Sequence, residues 1–244
     1  MKLLGVVLLG LGMSQSIPQD GTGDALRKKK NGYSSYGDPH FSIAPAGRLP
    51  LCFDINPHEN VSMLNFLIDP ITSLAVTGTT EPSSEMKGRT FISQVHFSSP
   101  EGIRIEFDQN GVKRVASSGL TEKLEGQGSI GDIEYKEHLS KDGSHERTVI
   151  SIQSGPSFEL MERFGPGSYS VKVTDQSGIT SKARGVFGAF MDPDFYKIIP
   201  DGGTYATTGS VVTGRRSIPA VRKNFHHTDD CWVISQEDAL NMIN

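Results

Sequence analysis

Short apolar runs interrupted by turn-forming residues recur from Pro50 onward, and they constrain the fold more than any other feature of the chain. The segments between them carry the Asp, Asn or Gly of hairpin turns, as in "DQNG", "KDGS" and "DQSG". We predict strands that begin at Leu51, Ser73, Thr90, Ile103, Val112, Arg147, Phe158, Tyr169 and Gly185. About nine strands at this spacing predict a mainly β fold, either an antiparallel β-sandwich or a partly closed barrel.

Two segments suggest a helix. In "SQEDALNMIN", Ser235 stands at the N-cap position with Asp238 three residues later, so we predict a short C-terminal helix. The segment "ENVSMLNFLID" from Glu59 has mixed spacing and fits either a strand or a helix. Because no internal repeat is found, residues 39–244 are predicted to form one β domain.

The first residues have the pattern of a secretory signal peptide. One Lys precedes an apolar run over residues 3–13, and small residues follow up to Ser16. We predict a leader of residues 1–16 and therefore a secreted, extracellular protein. Residues 17–38 are rich in Gly, Ser, Asp and Lys, with few large aliphatic side chains, which predicts a flexible basic arm.

The charge distribution bears on the partners of the chain. The formal net charge is −4, from 24 Lys and Arg against 28 Asp and Glu, and the "RKKK" run lies in the arm. The body that follows is acidic, whereas phosphate binding needs a clustered basic face, so we expect no nucleic-acid partner. No later stretch has the roughly 20 apolar residues of a transmembrane helix, so no membrane partner is expected.

The chain has two cysteines, Cys52 and Cys231. An even pair in an exported protein favours a disulfide, with two buried thiols as the alternative. Such a bridge would join the two ends of the domain and contribute about 4 to 5 kcal/mol in the chain-entropy account. Asn60 heads an N-x-S sequon and is predicted to be glycosylated if its loop is exposed.

Conventional catalysis has no named residue in this sequence. The chain lacks a nucleophile elbow, an H-E-x-x-H helix and a glycine-rich phosphate loop. Carboxylate pairs such as Glu134 and Glu137 are interpreted as solvated loop charges. We predict that the protein is not an enzyme, beyond self-processing, and that it needs no cofactor.

One group of residues could bind a metal ion. His226 and His227 stand close to Asp229 and Asp230. Adjacent residues point in different directions, and the ligand spacing of zinc motifs is missing. We therefore expect no metal site there.

The bond between Asp38 and Pro39 is the most reactive feature of the chain. An Asp side chain can attack its own main-chain carbonyl, and the Pro nitrogen leaves readily because its amide is tertiary. His40 follows and can act as a general acid or base near neutral pH. Asp-Pro also begins turns, because Asp bonds the nearby backbone and Pro fixes φ at about −65°. The residues alone leave a processing site and a structural turn as alternatives.

Several segments match one known family in the same order along the chain. They are "GDPHF", "LPLCFDIN", "FLIDPITSLAVTG", "GVFGAFMDPDF" and "IPAVRKNFHHTDDCWVI". On these segments the chain after Asp38 resembles the C-terminal region of the inter-alpha-trypsin inhibitor heavy chains. The ends of the match are specific, whereas residues 111–182 match only in the spacing of the predicted strands.

The resemblance implies a function in hyaluronan metabolism. In that family the chain is cut between the Asp and the Pro, and the new C-terminal Asp becomes ester-linked to chondroitin sulfate, from which it can pass to hyaluronan. Here Asp38 would supply the acyl group, Pro39 the leaving amine and His40 the acid or base. The implied partners are chondroitin sulfate or hyaluronan, and a protease-inhibitor light chain.

This sequence departs from the family pattern in two ways. It contains no adhesion-type domain with a D-x-S-x-S sequence, so the arm of residues 17–38 is what would be transferred. A second cysteine pair of the family is absent, and the joint loss of that pair fits a bridge between Cys52 and Cys231. Two other interpretations stay open: a non-reactive protein- or glycan-binding module in which "GDPHF" is a turn, and a shortened paralogue without activity.

Overall fold

The computed structural model describes residues 32–36, 39–45, 48–56, 62–83, 88–141, 145–162, 167–192, 194–203, 205–214, 216–226 and 228–243. Eighteen strands lie in these ranges. The first nine are β1 (Gly32–Tyr36), β2 (His40–Ala44), β3 (Leu51–Asp54), β4 (Ser62–Asp69), β5 (Leu74–Pro82), β6 (Thr90–Ser98), β7 (Arg104–Asp108), β8 (Gly111–Val115) and β9 (Thr121–Leu124). The others are β10 (Gln127–Ile130), β11 (Ile133–Leu139), β12 (His145–Ile152), β13 (Ser157–Glu162), β14 (Tyr169–Asp175), β15 (Lys197–Pro200), β16 (Thr208–Thr213), β17 (Arg216–Phe225) and β18 (Thr228–Val233).

The strands pair mainly with their sequence neighbours, because short turns join them. They form four antiparallel meanders, β1 to β3, β4 to β9, β10 to β14 and β15 to β18. Strand β1 also pairs with β14, β6 also pairs with β14, and β3 pairs with β18 in parallel. The described chain is thus one large, mostly antiparallel sheet that is not closed into a barrel, which confirms the predicted mainly β, sandwich-type fold.

A cluster of buried aromatic rings backs the strands at the start of the domain. Phe41 stacks on Phe53 at 5.5 Å, and Phe66 stacks on Phe187 at 5.5 Å, with Phe190 tilted against Phe53 at 5.8 Å. All five side chains are fully buried. Aromatic pairs of this kind add about 0.5–1.5 kcal/mol each beyond their burial, so the inner faces of β2 and β3 are firmly anchored.

The segment "GVFGAF" was predicted to be a strand, and this prediction is wrong. It forms the short helix α1 (Gly185–Gly188) followed by a 3₁₀ turn, Ala189–Met191. Phe187 and Phe190 are three residues apart, and both pack in the aromatic cluster. Apolar residues at this spacing are typical of a helix, but the continuous apolar run around them obscures the pattern. Gly185 has φ +90°, and a side chain there would meet the backbone of Asn65, so the chain turns sharply into the helix.

The flexible arm was predicted to extend through residue 38, but its end belongs to the sheet. Residues 32–36 form β1, which lies between β2 and β14. Tyr33 is buried and donates a hydrogen bond from its hydroxyl to the Phe190 carbonyl at 3.3 Å. The Ser35 hydroxyl accepts a hydrogen bond from the Val171 N–H at 3.2 Å. The folded domain therefore begins before Asp38, because these residues satisfy strand pairing on both sides.

The C-terminal helix is confirmed as α2 (Gln236–Ile243). Its N-cap is also as predicted, because the Asp238 N–H donates to the Ser235 hydroxyl at 3.1 Å. The ambiguous segment from Glu59 contains strand β4. No helix among the described residues is long and apolar enough to cross a membrane.

Candidate functional site

The connection between β1 and β2 contains the Asp38–Pro39 bond. Tyr36 pairs with His40, so residues 37–39 join two hydrogen-bonded strands. Asp38 lies outside the described residues. Pro39 is buried, and its carbonyl accepts a hydrogen bond from the Ile55 N–H at 2.9 Å. The amine side of the bond is therefore held by the sheet.

His40, the next residue, is held by a carboxylate on the neighbouring strand. It is the first residue of β2 and lies directly opposite Asp54, the last residue of β3. His40 Nδ1 is 2.5 Å from Asp54 Oδ1. A carboxylate oxygen accepts and an N–H donates, so His40 Nδ1 is the donor of this hydrogen bond.

A second imidazole, His226, completes the cluster from a distant part of the sequence. It begins the turn between β17 and β18 with φ +48°, a conformation that tight hairpin turns require. Its Nε2 is 3.6 Å from Asp54 Oδ1, and its ring stacks on that of His40 with centroids 3.3 Å apart. Phe225 contacts both rings edge-on, at 6.1 Å from His40 and 4.4 Å from His226.

The predicted disulfide joins the strands that carry this cluster. Cys52 and Cys231 are bonded across a sequence separation of 179, with Cα atoms 6.0 Å apart. Strand β3 continues from Cys52 to Asp54, and β18 leads back from Cys231 towards His226. Parallel pairing of β3 with β18 adds hydrogen bonds, including Trp232 N–H to the Pro50 carbonyl at 2.8 Å. The covalent bridge therefore fixes Asp54 and His226 on one scaffold.

Two of the residues that stand together near the C-terminal end of the sequence, His226 and Asp230, have different partners in the structure. Asp230 does not join His226, because both of its oxygens bind the Arg222 guanidinium, at 2.5 Å to Nε and 2.8 Å to Nη2. The hydrogen bond to Asp230 raises the pKa of Arg222. His227 lies outside the described residues, as does the predicted glycosylation site Asn60.

The carboxylates Glu134 and Glu137 were interpreted as loop charges, but they lie on strand β11. Residues three apart on a strand point to opposite faces, so these two carboxylates do not form a pair. Glu137 Oε2 accepts the Gly126 N–H at 2.6 Å, which gives this side chain a structural partner.

Asp54 is the member of the cluster that sequence reasoning missed. A signal for it was present, because Asp54 follows Cys52 by two residues and His226 precedes Cys231 by five. A predicted bridge between those cysteines brings their flanking polar residues within reach of one another. Chemically, the cluster offers one carboxylate oxygen that two imidazole nitrogens approach, at 2.5 Å and 3.6 Å.

These observations define the chain as a disulfide-linked, mainly antiparallel β protein with a His–Asp–His cluster beside its second strand. No family model matches the chain, and a search of curated proteins finds no match either.

Proposed function

We propose that this protein is secreted, associates with the extracellular matrix and acts in hyaluronan metabolism through cleavage and glycan ester transfer at Asp38–Pro39. The observation that carries the proposal is the hydrogen bond between His40 and Asp54, at 2.5 Å, because His40 directly follows Pro39 of the scissile bond. The resemblance to the inter-alpha-trypsin inhibitor heavy chains supplies the substrate class.

The proposed reaction proceeds in two steps. The Asp38 side-chain carboxylate attacks its own main-chain carbonyl carbon, the bond to the Pro39 nitrogen breaks, and a cyclic anhydride forms. The leaving nitrogen takes a proton from the His40 imidazolium. A sugar hydroxyl then attacks the α-carbonyl, its proton passes to His40, and the product is an ester of the Asp38 α-carboxyl with a free side-chain carboxylate.

The environment of His40 supports the assigned proton transfers. The Asp54 carboxylate accepts the hydrogen bond from His40 Nδ1 and holds the ring in one orientation. The His40 side chain is 14% exposed, which limits its rotation, whereas water or a glycan reaches the 42%-exposed Asp54 side. Positioning of this kind is what a general acid needs.

Secretion is supported by features of the chain itself, whereas the partners follow from the family resemblance. The leader-like start and the disulfide both fit an exported protein. Chondroitin sulfate or hyaluronan would supply the accepting hydroxyl, and a protease-inhibitor light chain on the same glycan is a further partner.

A second candidate is a non-reactive secreted binding module in which Asp38, Pro39 and His40 form a hairpin connection. Burial of Pro39 and the pairing of Tyr36 with His40 favour this candidate, because both are what a structural turn requires. In this case Asp54 would stabilise the turn through His40.

Intact mass spectrometry of the secreted, deglycosylated protein, with and without reduction, tests the proposal. Cells that also make a chondroitin sulfate proteoglycan would express the wild type, Asp38→Asn and His40→Gln, with His96→Gln as the matched control. His96 also faces a carboxylate, Glu106, at 3.5 Å but lies on β6.

We expect a body that begins at Pro39 in the wild type and the control, and a slower or absent cut in the other two variants. An Asp38 fragment carrying glycan mass would then identify the ester. If the wild-type bond stays intact in the presence of the acceptor, the binding-module function replaces the proposed one.

A further inference from the structure

A second property of the His–Asp–His cluster does not depend on the proposed processing. One nitrogen from each of His40 and His226 and one oxygen from Asp54 lie within 4.8 Å of one another. Two imidazoles and a carboxylate are the three protein ligands found in many zinc sites that keep a fourth position open.

We propose that His40, Asp54 and His226 bind a divalent transition-metal ion of the Zn²⁺ class. Imidazole nitrogen with one carboxylate oxygen suits borderline ions such as Zn²⁺, and it suits Ca²⁺ and Mg²⁺ poorly because those ions take oxygen ligands. Three protein ligands leave the fourth position of a tetrahedral ion open, and because Asp54 contributes one negative charge, the site stays positive and can take water or an anionic oxygen there.

The distances are close to those that a bound ion requires. With metal–ligand bonds of about 2.0–2.1 Å, neighbouring ligand atoms in a tetrahedral site lie about 3.3 Å apart. His226 Nε2 is 3.6 Å from Asp54 Oδ1, which nearly meets this spacing. His40 Nδ1 is 2.5 Å from the same oxygen, because a proton joins them, and the ion would replace that proton and widen the gap.

Side chains must move before an ion can bind, and two of the three proposed ligands are exposed enough to do so. The rings of His40 and His226 are inclined by 21°, and both must tilt for their nitrogens to face one ion. The His226 side chain is 36% exposed and lies in a turn, and the Asp54 side chain is 42% exposed at a strand end. The His40 side chain, at 14% exposed, has the least room to move of the three.

The backbone supports the site from three directions. His40 and Asp54 are paired residues of adjacent antiparallel strands, and His226 is brought to them by the β17–β18 hairpin. The disulfide between Cys52 and Cys231 ties that hairpin to β3. Ligands held on paired strands lose little conformational freedom when an ion binds, which favours affinity.

The test is Zn²⁺ binding by the untagged full chain, measured by competition with a chromophoric chelator. The variants are His226→Asn and Asp54→Asn. Asn is chosen at 226 because it tolerates the positive φ of that turn, so the hairpin should be kept. His96→Asn and His227→Asn are the controls, the first for another His–carboxylate pair and the second for the neighbouring imidazole.

We expect one tightly bound equivalent of Zn²⁺ in the wild type and both controls. Loss of a direct ligand should weaken binding by at least the roughly tenfold that loss of an outer-sphere partner costs. Addition of Co²⁺ should give the visible absorption of a low-symmetry site in the wild type and not in His226→Asn.

Absence of a bound equivalent in the wild type would overturn the proposal, as would loss in His227→Asn with retention in His226→Asn. If Asp54→Asn fails to fold, His226→Asn still decides the question. Because metal binding is measured without cleavage, its failure and the failure of self-processing are separate results.

Discussion

Cys52 and Cys231 are bonded at a point where the start and the end of the domain meet, across a sequence separation of 179. Both sulfurs are buried, and the bridge lies within the only parallel strand pair among the described strands, β3 with β18. The closure of the domain therefore depends on a covalent bond and a short stretch of parallel pairing.

Removal of this bridge should destabilise the protein markedly. Replacement of both cysteines by Ala is expected to lower the free energy of unfolding by about 4 kcal/mol, because the unfolded chain regains the entropy of a long loop. Urea unfolding of the double variant and of the wild type, each with and without reductant, measures the effect. The double variant should be insensitive to reductant; a wild type that is equally insensitive would show that the bridge adds little.

Asp69 links the β4–β5 turn to the segment before α1. It is fully buried, its Oδ2 accepts the Thr180 N–H at 2.7 Å, and its Oδ1 accepts the Thr180 hydroxyl at 2.9 Å and the Ile71 N–H at 3.0 Å. Asp69→Asn puts an amide N–H against the Thr180 N–H, so we expect a loss of about 2 kcal/mol in urea unfolding. Asp175→Asn, at an exposed turn carboxylate that accepts the Ser177 N–H, should change stability far less. Equal effects would contradict the role of Asp69 as a buried acceptor.

The same carboxylate predicts a pH dependence. Burial by itself raises the pKa of Asp69, but the hydrogen bonds from Thr180 and the turn outweigh it, so the pKa is lowered. A lowered pKa stabilises the fold above the unfolded-state value of about 3.9, and this stabilisation is lost as the pH falls through the folded-state value. The difference in unfolding free energy between wild type and Asp69→Asn should therefore shrink from pH 7 to pH 3. If this difference instead grew on acidification, the pKa of Asp69 would not be lowered in the folded protein.

Strands whose own residues show an apolar pattern were predictable from the sequence. The alternation in β5, with Leu74 and Val76 buried and their neighbours half-exposed, is visible in "SLAVTG", and β6, β7 and β14 carry equally clear apolar runs. In contrast β17 is mostly exposed and contains Pro219, and β10 has one partly buried apolar residue in four. Such strands are specified by their partners, so local patterning could not reveal them.

The candidate site was predictable in part for a related reason. His40 was identified from its place beside a fragile bond, which is local information. Its contact with His226 arises from the pairing of β3 with β18 and from the disulfide, so it depends on tertiary structure. Asp54 lies opposite His40 because of the register between β2 and β3. The sequence does not determine this register, because it does not fix the length of the loop that joins the two strands.

Gly185 should be among the least replaceable glycines of the chain. It has φ +90°, and a Cβ at this position would collide with the Asn65 carbonyl. Gly185→Ala is expected to cost about 3 kcal/mol or more, which combines backbone strain with displacement of β4. Gly119→Ala is the matched control, because Gly119 has φ +82° with no atom near its Cβ position, and we expect about 1 kcal/mol there. If the two variants lose similar unfolding free energy in thermal or urea unfolding, backbone strain alone accounts for the cost at Gly185.

Cleavage at Asp38–Pro39 should leave the two fragments associated. Strand β1 ends at Tyr36, pairs with both β2 and β14, and buries the Tyr33 ring. The N-terminal fragment would therefore stay bound as a strand after the bond breaks, and it would be released only when β1 detaches. The arm and the body should elute together on native gel filtration and separate in urea.

A nick made by a specific protease site in place of residues 37–38 tests this association without relying on self-processing. Tyr33→Ala should release the fragment from the nicked protein under native conditions, because it removes a buried ring and its hydrogen bond to the Phe190 carbonyl. Ser34→Ala on the opposite face of β1 is the control and should retain it. If the nicked wild type loses its fragment in native buffer, pairing of β1 is too weak to hold the arm, and transfer of the arm to a glycan would need no unfolding step.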